Sequence, residues 1–178
     1  MNLGQRAVKE LSKARSGLLD RGGKVRILSD DLGYIFEDEK DNLRLRIEVE
    51  DIDKYSVLLR SIEAHKAQKD DGRKLSISIV EKQAKTLEEK LTYLLENCRT
   101  IEVDRNLMTA QIRSELPFKD DAGIHYYEVL LTKGTSLKFS RYAKQSDKLR
   151  VEETCLLSDK ILARLIDDLV ATIRIDVD

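Results

Sequence analysis

Two histidines, His65 and His125, and two cysteines, Cys98 and Cys155, are the side chains best suited to metal or nucleophilic chemistry in this chain. Their spacing assembles neither. Zinc takes about four Cys, His or carboxylate ligands at close spacing, and the two histidines lie in different halves of the sequence. Each cysteine stands alone near the end of an element and reads as a small buried or boundary side chain. The run Glu37-Asp38-Glu39-Lys40-Asp41 lacks the glycine and terminal glutamate of a calcium loop and reads as a solvated hairpin turn. Asp120-Asp121 and Asp167-Asp168 could do acid–base work only if they converged across a cleft; a loop and the wet face of a helix hold them apart. Gly22-Gly23 is not followed by the Gly-Lys-Ser/Thr that would cradle phosphates, and no Gly-x-Ser-x-Gly elbow occurs. No catalytic residue, metal or cofactor is expected.

Binding chemistry is better represented. Arg44 and Arg46 project together from one strand, away from Leu43, Leu45 and Ile47. Lys138 and Arg150 project similarly from later strands, and Gln111 and Arg113 share a face of the strand 107–115. Were these strands neighbours, they would form a basic, hydrogen-bonding sheet surface able to bind phosphates or an acidic partner. The competing reading is an ordinary wet face, with these cations paired to Glu48, Glu50, Glu115 and Glu128 across strands. The consecutive Tyr126 and Tyr127 must point to opposite faces. One of them, taken as Tyr126, is a candidate contact for a partner or a stacked base. The candidate partner-binding set is Arg44, Arg46, Gln111, Arg113, Tyr126, Lys138 and Arg150.

The elements that would position this set follow from periodicity. Leu3, Ala7, Leu11, Ala14 and Leu18 recur at spacings of three and four, predicting a helix over 3–19 that Gly22-Gly23 ends. Strands are predicted at 24–28, 33–37, 43–50, 54–63 and 74–79. An Asp30-Asp31 turn, a turn at 39–42 and a polar loop at 65–73 separate them. A helix over 81–97, capped at Ser78 or Thr86, buries Ala84, Leu87, Leu91, Leu94 and Leu95. Strands near 99–104, 107–115, 124–133, 136–143 and 148–153 follow, with a tight hairpin at Lys133-Gly134-Thr135. Ser158 caps a last helix, 159–173, with a stripe of Ile161, Leu162, Leu165, Leu169 and Ile173.

The second half appears as a repeat of the first, and periods of this kind decide a fold. A shift of 82 positions carries Leu45, Ile47, Val49, Tyr55 and Val57 onto Tyr127, Val129, Leu131, Leu137 and Phe139. A shift of 74 then carries Leu75, Ile77, Leu87, Leu91 and Leu95 onto Leu149, Val151, Ile161, Leu165 and Leu169. The expectation is one α+β domain over 1–178. It has a mainly antiparallel, curved sheet and two pseudo-repeats, about 24–97 and 99–174, each a strand run closed by one helix, plus an extra N-terminal helix.

Of the 178 residues, 41% are apolar, enough for a core, and 37% are charged, which requires a solvated surface. A net charge of -1 supplies no global field toward nucleic acid or anionic lipid. Two cysteines are too few for a disulfide framework, and no long apolar stretch or leader is seen, so a cytoplasmic location is expected. The first 26 residues hold seven Lys or Arg against two acids, and residues 27–53 hold three against ten. A basic helix could therefore dock on an acidic hairpin. Its Ala- and Leu-rich stripe lacks the aromatic anchors of a membrane-surface helix.

In element order the chain resembles the duplicated saddle of TATA-binding proteins, and it is similar in outline to small secretion chaperones. Both likenesses are of layout and are carried by no motif. The expected function is a non-enzymatic, homodimeric binding or adaptor protein that uses its polar sheet face or edge to hold a protein or peptide. A nucleic-acid-binding sheet, which the saddle likeness implies, and a small-molecule or lipid site between sheet and helices are the alternatives.

Overall fold

A computed structural model describes residues 1–18, 23–28, 33–67, 76–146 and 148–176. It shows an α+β molecule with an open, antiparallel sheet and three helices. In chain order come α1 (Leu3–Arg15), β1 (Val25–Ile27), β2 (Tyr34–Lys40), β3 (Leu43–Ile52), β4 (Ser56–Lys66) and α2 (Ile77–Lys90). There follow β5 (Cys98–Asp104), β6 (Thr109–Ser114), β7 (Phe118–Asp120), β8 (Gly123–Thr132), β9 (Ser136–Lys144), β10 (Val151–Glu153), β11 (Cys155–Ser158) and α3 (Asp159–Ile173). The strand order is β1-β2-β3-β4-β9-β8-β6-β5, with β10 on β9, β11 on β4 and β7 on β8.

Alternation along the long strands, broken by bulges between β3 and β4, sorts side chains into two faces. On one face, Phe36, Ile47, Ile62, Phe139, Val129 and Ile112 are successive partners across six strands, each fully buried. The three helices pack on this face, and their stripes join the same apolar cluster. Helix α1 lies close against α3. A β-carbon on Gly4 would stand 2.0 Å from the Ala163 carbonyl oxygen, so only glycine permits that approach. The predicted docking of the basic N-terminal segment on the acidic hairpin is also found: Arg6 and Lys24 both bond the buried carboxylate of Asp38 on β2.

Several elements depart from the sequence expectation. Helix α1 stops at Arg15, short of residue 19. Gly17 takes φ +71°, and the Leu18 and Gly17 amides bond the Lys13 and Ala14 carbonyls, a Schellman closure that makes Gly17 the terminator and leaves Leu18 exposed. Gly22 and the Asp30-Asp31 turn lie outside the described residues. The strand expected at 74–79 is replaced, where described, by the start of α2, which Ser76 caps by accepting from the Ser78 amide. That helix ends at Lys90; beyond it Leu91 and Leu94 remain buried, but Leu95 is exposed. Strands β7 and β11, of three and four residues, are too short to leave a periodic signal. At Asp41-Asn42, with φ of 54° and 59°, the β2–β3 turn has the left-handed pair of a two-residue hairpin.

The repeat matches divide accordingly. Leu45 and Tyr127, Ile47 and Val129, Val49 and Leu131, and Val57 and Phe139 are all buried, whereas Tyr55 is exposed and Leu137 is not. The shift of 74 fails in the structure: Ile77 is helical where Val151 is in a strand, and Leu95 is exposed where Leu169 is buried. The capping serines, Ser76 and Ser158, instead stand 82 positions apart, the same shift as the strands.

Candidate functional site

The face of the sheet turned away from the helices carries the seven candidate residues, in two separate groups. The first is on the β2–β3–β4–β9 side. Glu37 sits among three guanidinium groups: Arg26 bonds it closely, Arg46 at 3.2 Å and Arg44 at 3.3 Å. Burial works to raise the Glu37 pKa, but these arginines outweigh it and hold the carboxyl below its ordinary range. Arg46 also grips Glu48 at 2.5 Å, and Lys138 lies 3.0 Å from Glu152 and 3.8 Å from Glu63. Here the acids interleave with the cations, as the wet-face reading requires.

The second group gathers on one carboxylate. Glu128 of β8 is buried, yet its Oε2 accepts from Gln111 at 3.0 Å, Arg113 at 2.6 Å and Arg150 at 2.5 Å. The strand register explains this. Arg113 is the cross-strand partner of Glu128, and Gln111 is two residues along the same face. Tyr126 points to this outer face, opposite the core residue Tyr127, but it is 7% exposed. It stacks on Tyr142 at 5.9 Å between ring centroids. The Arg113 guanidinium lies 5.1 Å over Tyr126, and that of Arg150 4.3 Å over Tyr142. Two arginines thus cover an aromatic pair, and Tyr126 is no open stacking platform.

Beside this cluster runs a groove of about 540 Å³, with an apolar wall of Ile101, Pro117, Ile124 and Leu149. Ile101 is the bulged residue of the edge strand β5, which turns it outward. Ile101 and Leu149 are 55% and 90% exposed, so the groove presents this wall to solvent. Arg113, Lys144, Lys148 and Arg150 rim the groove, and no carboxylate lines it among the described residues. Sequence reasoning missed Lys144, which follows Lys138 and Tyr142 on the outward phase of β9, and Lys148 and Leu149, which precede β10. The parity of β9 was available to find Lys144; nothing local marked the other two.

On the helix side a second ionic network closes the end of the sheet. Arg141 of β9 spans Glu96, at 3.2 Å, and Glu153 of β10, at 2.9 Å, with its guanidinium 4.6 Å over Tyr127. His125 places Nδ1 2.9 Å from Glu153 and Nε2 3.1 Å from Asp120, so both ring nitrogens donate when the imidazole is charged. The Glu153 hydrogen bond leads in raising the His125 pKa, and Asp120, bonded to His125, is lowered. Arg141 is the cation facing the same Glu153. With its folded pKa raised, His125 stabilises the fold below the unfolded value of about 6.5, and this is lost as pH rises through the folded value. Urea midpoints measured from pH 6 to 9 should therefore fall more for the wild type than for His125→Gln; parallel curves would refute the pairing.

Burial pushes the thiols of Cys98 and Cys155 up to about 12, which leaves both protonated at neutral pH. Among the described residues, no group of His, Cys, Asp and Glu has the arrangement to hold a metal ion. No described helix is long and apolar enough to cross a membrane. A further groove of about 810 Å³ lies between α1 and α3, but Lys9, Lys13, Lys160 and Arg164 are interleaved there with Asp159, Asp167 and Asp168, so neither sign of charge dominates. In comparisons with known proteins, no family model, no curated protein and no solved structure matches the chain.

Proposed function

We propose that this protein is a non-enzymatic adaptor that holds a partner protein in the groove beside Tyr126. The partner presents a segment combining apolar and acidic side chains. The single observation carrying this reading is the composition of that groove: exposed Ile101 and Leu149 inside a rim of four cations, with no carboxylate among the described residues of the lining. Apolar contact would supply affinity, and the rim would select acidic segments and speed encounter. This places recognition on Arg113, Tyr126 and Arg150 of the expected set, together with Lys144 and Lys148. Arg44, Arg46 and Lys138 belong to a different part of the face. The space between sheet and helices is occupied by packed side chains, which favours the outer face over an internal lipid cavity.

The 82-position spacing of the capped helices and of the buried strand residues supports, as part of the same reading, a duplicated scaffold whose second half specialised for binding. The homodimer expected from sequence is tested by native mass spectrometry on the same preparation. The groove itself is tested by fluorescence polarisation with labelled Glu/Leu-rich peptides and their Lys/Leu-rich counterparts. Only the acidic peptides should bind. Lys144→Glu with Lys148→Glu should weaken them by roughly tenfold to a hundredfold, the scale of two lost charge contacts. Equal affinity for both peptide classes, or an unaffected double variant, would refute the groove.

A further inference from the structure

The geometry points to a second site on the outer face: a pocket for the phosphate group of a small molecule, centred on His65 and Ser136. It is independent of the adaptor groove. Arg44 of β3, His65 of β4, Ser136 of β9 and Thr132 of β8 are successive cross-strand partners, so their side chains stand in one row. They line a shallow cavity of about 480 Å³ together with Arg46 and Lys138 from the adjoining row. His65 Nδ1 lies 2.7 Å from Ser136 Oγ, which fixes both side chains and leaves the imidazole Nε2 for a ligand. Arg44 is 61% exposed along its side chain, and a single 3.3 Å contact to Glu37 leaves most of its five donors unused.

The donors to spare favour an anion. Among the described residues three cations and one carboxylate, Glu63, line the cavity; Arg46 and Lys138 are also held by Glu48 and Glu152, so Arg44 is the cation with the most free donors. The acid that neutralises Arg44 is shared with Arg26 and Arg46, so the guanidinium groups outnumber it. Guanidinium, ammonium, imidazole and hydroxyl donors converging from four strands suit a group that accepts from several directions, as a phosphate does and a planar carboxylate does less well. The surroundings limit the size of what carries it. Glu48, Glu50, Glu63, Glu152 and Glu153 line the adjoining cavity against Arg60 and Lys138, and the excess of negative charge repels a polyanion laid across the sheet. A small phosphorylated molecule fits; a nucleic-acid strand does not.

The chain has two histidines, so ring NMR spectra contain an internal control. Inorganic phosphate and pyrophosphate, titrated at constant ionic strength, should shift the His65 ring signals saturably and leave those of His125 in place. Arg44→Ala should weaken binding by roughly tenfold, the loss of one charge-assisted contact, with unshifted His125 signals showing that the variant is folded. Ser136→Ala provides a second variant that removes no charge. Signals that fail to saturate, move equally with chloride, or respond identically in both variants and wild type would overturn the site. Tighter binding of an oligonucleotide than of pyrophosphate would overturn the small-molecule assignment. None of these outcomes depends on peptide binding in the groove.

Discussion

Replacing Arg141 with alanine is expected to lower folding stability by about 3–5 kcal/mol, the usual loss when one member of a buried ion pair is removed. Its side chain is 11% exposed and that of Glu96 is 9% exposed, so neither charge can recover its hydration in place. Without the guanidinium, Glu96 keeps one neutral donor, the Ser114 hydroxyl at 2.9 Å, and that hydroxyl is itself held by the Tyr127 amide. The loss therefore spreads from the segment after α2 into β6, β8 and β10. For a chain of this length it corresponds to a fall in Tm on the order of 10 °C. Arg141→Lys should recover only part of the loss, because an ammonium cannot bridge Glu96 and Glu153 in the same plane. Arg141→Met combined with Glu96→Leu should regain much of it, since the two most buried charges leave together and Glu153 keeps its contact with His125. Urea denaturation with an unchanged m-value is the measurement. A loss below about 1 kcal/mol for the alanine variant would show that the pair is hydrated and contributes as a surface bridge does.

Arg141 also shows where reading the sequence stops. Strand alternation along 136–143 and the exact span of the last helix, with its Ser158 cap, were legible because each is a local pattern of apolar side chains. The same alternation put Arg44 with Arg46 and Gln111 with Arg113 on shared faces. It also put Arg141 on the core side with Leu137 and Phe139, but it could not say that the charge there is met by Glu96, 45 residues away. Nor could it show that the strand order splits the candidate set, joining Arg113 to Arg150 through Glu128 and leaving Arg44 and Arg46 with Glu37. Those pairings are set by which strands become neighbours, a property of the whole chain. The helix-for-strand error at 76–79 has a different cause. Ser76-Ile77-Ser78-Ile79 alternates like a strand, and it turns helical because Ser76 caps α2 and Ile79 packs against the Gly134 turn, where an added β-carbon would stand 2.8 Å from it.

Glu128→Gln is expected to separate stability from recognition. The substitution preserves shape but removes the charge on which Gln111, Arg113 and Arg150 converge. Hydrogen bonds to a charged group are worth about 1.5–3 kcal/mol each. Arg113 and Arg150, at 30% and 37% side-chain exposure, can regain part of their hydration, so the net loss of stability should be about 2–3 kcal/mol. Binding should move the other way. Glu128 is the carboxylate beneath the groove, and without it no carboxylate among the described residues of the lining opposes the rim of four cations. An acidic peptide should then bind at least as tightly as to wild type, with a steeper fall as salt is added. Because a general loosening of the fold would weaken stability and affinity together, opposite signs identify an electrostatic role. If peptide binding instead disappears while the circular dichroism spectrum and cooperative unfolding persist, the groove recognises its partner by the shape of the Arg113–Tyr126 and Tyr142–Arg150 stacks, and charge selection by the rim is refuted.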